Sequence, residues 1–140
     1  MQPPKLQFSD INFKAVIVGA IVDNAGTLLV MTTLAALLVK TGLSEDEVMT
    51  RMKDTNGLLL GLIIGLGFTL LGGFFAGRMA ANAKLLHGAL VAIVGMIITV
   101  VFWEKGGPLW FDIAGFAGML PAGIAGGYLA LRYPPARKQS

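Results

Sequence analysis

Asp23 is the residue in this sequence best placed to do chemistry. It stands beside Asn24 and one helical turn before Thr27, inside a long apolar run. On a helix, Gly19, Asp23, Gly26 and Thr27 fall on one stripe by the i, i+3, i+4 rule. A carboxylate at membrane depth costs roughly 3 kcal/mol on insertion scales, so it needs a partner or a cavity. Three roles suit it: a protonatable group in a transport pathway, a polar anchor for a cofactor or subunit, or a hydrogen-bonded lock between helices. No basic residue stands at a clearly matching depth.

The other chemistry-bearing residues are sparse. His87 is the only histidine and opens an apolar segment close to Arg78 and Lys84, where it reads as a hydrogen-bonded interface residue rather than a ligand. Pro121 lies inside an apolar run, where it should kink a helix or free the carbonyl near Ala117. Glu104 and Asp112 fall near a membrane interface and read as solvated. There is no cysteine, which excludes disulfides, thiolate metal sites and cysteine nucleophiles. No paired carboxylates with a base, serine–histidine arrangement, phosphate-binding loop or metal motif emerges. The expectation is a noncatalytic protein without cofactor.

The elements that must position Asp23 follow from composition. Of the 140 residues, 55% are apolar and only 14% charged, against about 25% charged in a soluble domain. The charges cluster, leaving four segments long enough to cross a bilayer core of about 30 Å: Ala15–Val39, Gly57–Gly77, Leu85–Trp103 and Leu109–Leu131. The fold class is therefore all-α, a polytopic four-transmembrane-helix bundle forming a single domain over 1–140. The apolar run after the polar N-terminus is too long for a signal peptide and lacks an A-x-A-like site, so it reads as a retained helix.

Between the first two spans, Ser44 and Glu47 have capping-box spacing, with Glu45 and Asp46 in the first turn. A short helix is expected over about 45–54. Leu43, Val48, Met49 and Met52 would form its apolar edge on the bilayer surface, unless the segment is a plain helical linker. Arg78–Lys84 is a tight hairpin connection, and Gly106, Gly107 and Pro108 give the last connection turn chemistry. The tail at 134–140, with Pro134 and Pro135, reads as a mobile end. Lys5, Lys14, Arg78, Lys84, Arg132, Arg137 and Lys138 share one side. Lys40, Arg51, Lys53 and Lys105 share the other, mixed with acids. The positive-inside rule then puts both termini in the cytoplasm, with Trp103 and Trp110 in the outer aromatic belt. The basic pI of about 9.5 is thereby explained by the membrane, and no nucleic-acid partner is implied.

The nineteen glycines carry the packing signal. Helices in lipid associate through close backbone approach at small residues. Gly61-x-x-x-Gly65 and Gly73-x-x-x-Gly77 lie on the second span, and Gly88-x-x-x-Ala92 followed by Gly95 on the third. Ala114-x-x-x-Gly118, Ala122-x-x-x-Gly126 and Gly123-x-x-x-Gly127 lie on the fourth. These faces serve packing within the chain or against a partner. The second span ends Gly72-Gly73-Phe74-Phe75-Ala76-Gly77-Arg78 and the fourth Gly126-Gly127-Tyr128-Leu129-Ala130-Leu131-Arg132. The shared Gly-Gly-aromatic-x-Ala-x-Arg ending is what two repeated hairpins would produce.

The first of these endings, followed by Leu85-Leu86-His87-Gly88-Ala89-Leu90, resembles small, uncharacterised bacterial four-helix membrane proteins with a GGxxAxR…LLHGAL hairpin. The resemblance extends to Val22-Asp23 with Gly26, Ser44-Glu45 and Gly126-Gly127-Tyr128. It implies a bacterial inner-membrane location and supplies no activity. Two functions remain open. The first is a scaffold or accessory subunit, packing against other integral-membrane subunits through small-residue faces. The alternative is a small homo-oligomeric transporter or channel using Asp23.

Overall fold

The computed structural model describes residues 11–102 and 107–133. The expectations placed on Lys5, Trp103, Glu104, Lys105, Gly106 and the tail at 134–140 lie outside the described residues. Five helices follow in order: α1 (Phe13–Lys40), α2 (Glu45–Lys53), α3 (Thr55–Met79), α4 (Lys84–Val101) and α5 (Leu109–Arg132). All except α2 are long and apolar enough to cross a membrane. α5 runs unbroken through Pro121.

Exposed side chains along the long helices are mostly apolar, among them Ile17, Ile21, Leu28, Ile63, Ile97 and Ile113. The interior is instead lined by small residues. Ala15, Gly19, Ala76, Gly88, Ala92, Gly123, Gly127 and Ala130 are all buried, and the largest fully buried side chains are His87, Val91 and Thr69. This inversion suits lipid, where an apolar coat is already at home and helices gain by backbone proximity.

α3 touches every other helix, α4 packs on α1, α3 and α5, and α1 and α5 do not meet. The start of α1, the end of α5 and the α3–α4 turn share one end of the bundle, the terminal end, and α2 marks the other. At the terminal end, Asn12 caps α1 by accepting from the Ala15 N–H at 3.1 Å. Its own backbone N–H donates to His87 Nε2 at 2.9 Å, and its side-chain amide donates to the Met79 carbonyl at 3.4 Å. One residue thus joins the start of α1 to the end of α3 and the start of α4. Because Nε2 accepts, Nδ1 carries the ring proton and donates to the Ala83 carbonyl at 3.0 Å.

At the other end, Gly42 takes the left-handed conformation (φ 96°) that turns the chain out of α1. Ser44 and Glu47 form the reciprocal capping box that starts α2, and Val48 is buried against the bundle while Met49 is exposed. Asp54 then ends α2 and caps α3, accepting from the Gly57 N–H at 2.7 Å. Hydrogen bonds from the Ser44 backbone and then the Ser44 hydroxyl, with a smaller contribution from Arg51, hold the Glu47 carboxyl below its usual range. The stabilisation this cap supplies is present above the ordinary carboxylate range and lost as pH falls through the lowered value. Amide protection at Ser44 and Glu47, taken relative to the intrinsic exchange rate at each pH, should therefore fall on acidification, and Glu47→Gln should flatten that pH dependence.

Candidate functional site

Asp23 lies ten residues into α1, Thr69 ten residues before the end of α3, and Gly95 eleven residues into α4. At 1.5 Å per residue all three sit about 15 Å from the terminal end, near the middle of a bilayer core. They meet there. Thr69, 1% exposed, places its hydroxyl 3.0 Å from Asp23 Oδ1. Asp23, 4% exposed, has no hydrogen-bond partner for Oδ2. A methyl group built on Gly95 would lie 3.0 Å from that oxygen and 3.0 Å from the Met119 terminal methyl.

The Thr69 hydroxyl also lies 3.1 Å from the Gly65 carbonyl, and it has only one proton. When Asp23 is ionised, that proton points to Oδ1. When Asp23 is protonated at Oδ1, the acid donates to Thr69 Oγ and Thr69 donates to Gly65. The hydroxyl therefore serves either protonation state by turning: the chain links all three oxygens when Asp23 is protonated, and Thr69 Oγ to Oδ1 alone when it is ionised.

This layer divides the bundle. On the terminal side the backbones are in close contact. A methyl on Gly19 would lie 2.6 Å from both the Gly72 carbonyl oxygen and a Val91 methyl, and one on Gly77 2.8 Å from Ala130 Cβ. Methyls on Gly73 or Gly88 would each strike the Gly123 carbonyl, one on Gly126 the Leu70 carbonyl, and one on Gly127 the Lys84 carbonyl at 2.5 Å. Ala92 Cβ would lie 2.9 Å from a methyl on Gly123. On the α2 side lies a cavity of about 370 Å³ lined from α1, α3, α4 and α5. Asp23, Asn24, Thr27 and Thr69 form its deep polar side, with Thr99 and Asp112 on other walls. Apolar residues such as Leu66, Phe111, Phe116 and Met119 supply most of the rest. Asn24 and Thr27 donate to backbone carbonyls on their own helix, those of Ala20 and Asp23.

The structure brings Asp23, Asn24 and Thr27 to one cavity, and with them Gly61 and Gly65. A methyl on Gly65 would meet only open space, and one on Gly61 only the Met31 terminal methyl at 3.3 Å, so neither holds two backbones together. Gly118 packs against the tip of Leu66, and Ala122 is half-buried on α5. Asp112, expected to be solvated, is half-buried and lines the cavity. Thr69 was not singled out by sequence reasoning. Its signal was its standing as the single hydroxyl in the apolar stretch from Gly57 to Gly77, at the depth of Asp23.

Arg78, Lys84 and Arg132, expected at the inner interface, are anchored differently from one another. The Arg78 guanidinium lies 5.6 Å from the centre of the Phe74 ring, and that of Arg132 lies 5.5 Å from the Tyr128 ring. Lys84 donates to the Ala130 carbonyl at 3.3 Å. The two Gly-Gly-aromatic-x-Ala-x-Arg endings therefore share a local arrangement: paired glycines and the alanine buried, the arginine stacked on the aromatic four residues earlier.

Fold and site together define a multi-pass, all-α membrane protein with a carboxyl group at the floor of an intramembrane cavity. No protein-family model, curated protein or solved structure matches the chain.

Proposed function

We propose that this protein is a noncatalytic membrane carrier that exchanges a proton for a cation at Asp23. The observation that supports this reading best is the half-satisfied carboxyl lining a cavity that extends from it toward the α2 end. An acid there that releases its proton acquires a charge, and a cation binding on Oδ2 neutralises it. Proton and cation then compete for one group, which is the minimum a coupled carrier needs. The cavity is bounded by helices of a single chain, so a second copy is not required to complete it.

The location is the bacterial inner membrane, with both termini in the cytoplasm and the cavity opening outward. Lys14, Arg78, Lys84 and Arg132 at the terminal end support that orientation, against Lys40, Arg51 and Lys53 mixed with Glu45, Asp46, Glu47 and Asp54 at the other. The matching arginine–aromatic endings of α3 and α5 support reading the two hairpins as a repeat.

The test is exchange in proteoliposomes loaded with acid and the lumenal pH dye pyranine. Sodium, potassium or benzyltrimethylammonium chloride is added outside, the last being permanently charged and unable to carry a proton itself. At least one of them should raise lumenal pH in the wild type, and Asp23→Asn should abolish the response. Absence of response to all three, or an undiminished response in Asp23→Asn, contradicts the carrier.

A second reading, an accessory subunit of a larger membrane complex, is favoured by a specific surface. An apolar groove of about 380 Å³ between α1 and α4 is lined by Val16, Ala20, Ala25 and Ile98, among others, and would accept a partner's transmembrane helix. Most of the strongly packed small-residue faces, by contrast, are occupied within the chain. A stoichiometric larger partner retained on extraction in a mild polymer would establish this reading. A lone chain or homo-oligomer would remove it.

A further inference from the structure

We infer that the cavity selects a small organic cation, an ammonium group carried on an apolar body, over inorganic ions and over neutral or anionic solutes. This rests on the reading of Asp23 as a carrier site and specifies what the site takes.

The charge preference follows from the lining. Among the described residues, the ionisable groups that line the cavity are Asp23 and Asp112, both acids, with no lysine, arginine or histidine beside them. Met119 lies level with Asp23, since its methyl and Asp23 Oδ2 converge over Gly95. Asp112 is seven residues nearer the α2 end on the same helix as Met119, about 10 Å along the axis. A cation entering from that end would meet the half-buried Asp112 first and the buried Asp23 carboxyl last. An anion would face both acids, with no cation among the described lining residues to offset them.

The preference for an organic ion follows from what surrounds Oδ2. A bare metal cation replaces its hydration shell with about six oxygen ligands. Beside Oδ2 stand the Gly95 backbone and the Met119 methyl, and the described residues contain no group of three or more histidine, cysteine or acidic side chains that could hold a metal. Leu28, Met31, Leu66, Phe111 and Phe116 instead offer apolar, polarisable and aromatic surface. Such walls bury a hydrocarbon body and attract an ammonium group through ring faces and sulfur. The volume lies near the lower end of the roughly 300–1,000 Å³ typical of small-molecule sites.

The test uses three probes of nearly one shape: benzylammonium chloride, benzyl alcohol and sodium benzoate. Each is titrated calorimetrically at neutral pH into the full chain in phosphatidylcholine nanodiscs, with empty nanodiscs subtracted for partitioning. Benzylammonium should bind about tenfold or more tighter than benzyl alcohol, a difference of about 1.4 kcal/mol, and benzoate should not bind. The wild-type comparison stands even if a variant fails to fold. Where Asp23→Asn folds, it should bring the amine and the alcohol to within about twofold, a difference under about 0.5 kcal/mol. Equal binding of amine and alcohol would overturn the cation assignment and leave the cavity as a ligand site. Failure of benzylammonium to bind, while sodium or potassium drives exchange in proteoliposomes, overturns the organic class and leaves the carrier. Failure of binding and of exchange together removes both.

Discussion

Adding one methyl group at Gly123 will destabilise the bundle by about 1–3 kcal/mol, the range for forcing extra volume into a close-packed interior. The same methyl at Gly65 will be tolerated. The new Cβ at Gly123 meets the Gly88 carbonyl and the Ala92 methyl. Neither can swing away as the end of a flexible side chain would. α4 and α5 must move apart, and Gly73, which packs on the Gly123 carbonyl from α3, loses its contact as they do. At Gly65 nothing lies within 4 Å, and alanine merely narrows the cavity. The measurement is reversible unfolding of Gly123→Ala and Gly65→Ala in bicelles. Equal destabilisation of the two would mean that the helices do not approach as described.

Replacing His87 with leucine will have the second large effect, and a local one. His87 is fully buried and both ring nitrogens are engaged. Leucine fills a similar volume but leaves the part-buried Asn12 N–H without its acceptor, a loss worth about 1 kcal/mol. Ala83 loses less, because its carbonyl still accepts the backbone N–H of residue 87 at 3.1 Å. The damage should therefore concentrate on the start of α1. Amide exchange should rise at Asn12 and across Phe13–Val16 by more than on α5. Uniform acceleration over all helices would argue against the three-helix tie at Asn12.

Hydropathy made the spanning helices legible, because roughly 20 apolar residues in a row admit few other structures. The cap of α2 was equally readable, since Ser44 and Glu47 lie close enough in sequence to find each other without tertiary help. The bundle's division into a closed half and an open half was not. Gly61-x-x-x-Gly65 and Gly73-x-x-x-Gly77 have the same spacing on the same helix, yet the first borders a cavity and the second sits in backbone contact. Spacing says that two small residues share a face; which face meets a neighbour depends on how the helices cross. Asp23 stood out from its burial cost alone. Thr69 and Gly95, its neighbours across α3 and α4, required the axial registry of three helices, which is set by connections at both ends of the bundle. His87 was read as a hydrogen-bonded interface residue, but its partner, the backbone of Asn12, carries no sequence signal.

The chain contains no cysteine, so single cysteines can be placed without background, and this gives the most direct test of the cavity. Gly65→Cys and Gly115→Cys lie on its walls, and Val91→Cys lies in the fully buried core. Each is exposed, in oriented membranes, to a membrane-impermeant cationic methanethiosulfonate and to its anionic counterpart. The expected result is modification of Cys at 65 and 115 from the α2 face alone, faster with the cationic reagent, and protection of Cys at 91 from either face. Labelling at 91 as fast as at 65, or no labelling at 65 and 115, would contradict a cavity that opens at the α2 end and closes at Asp23.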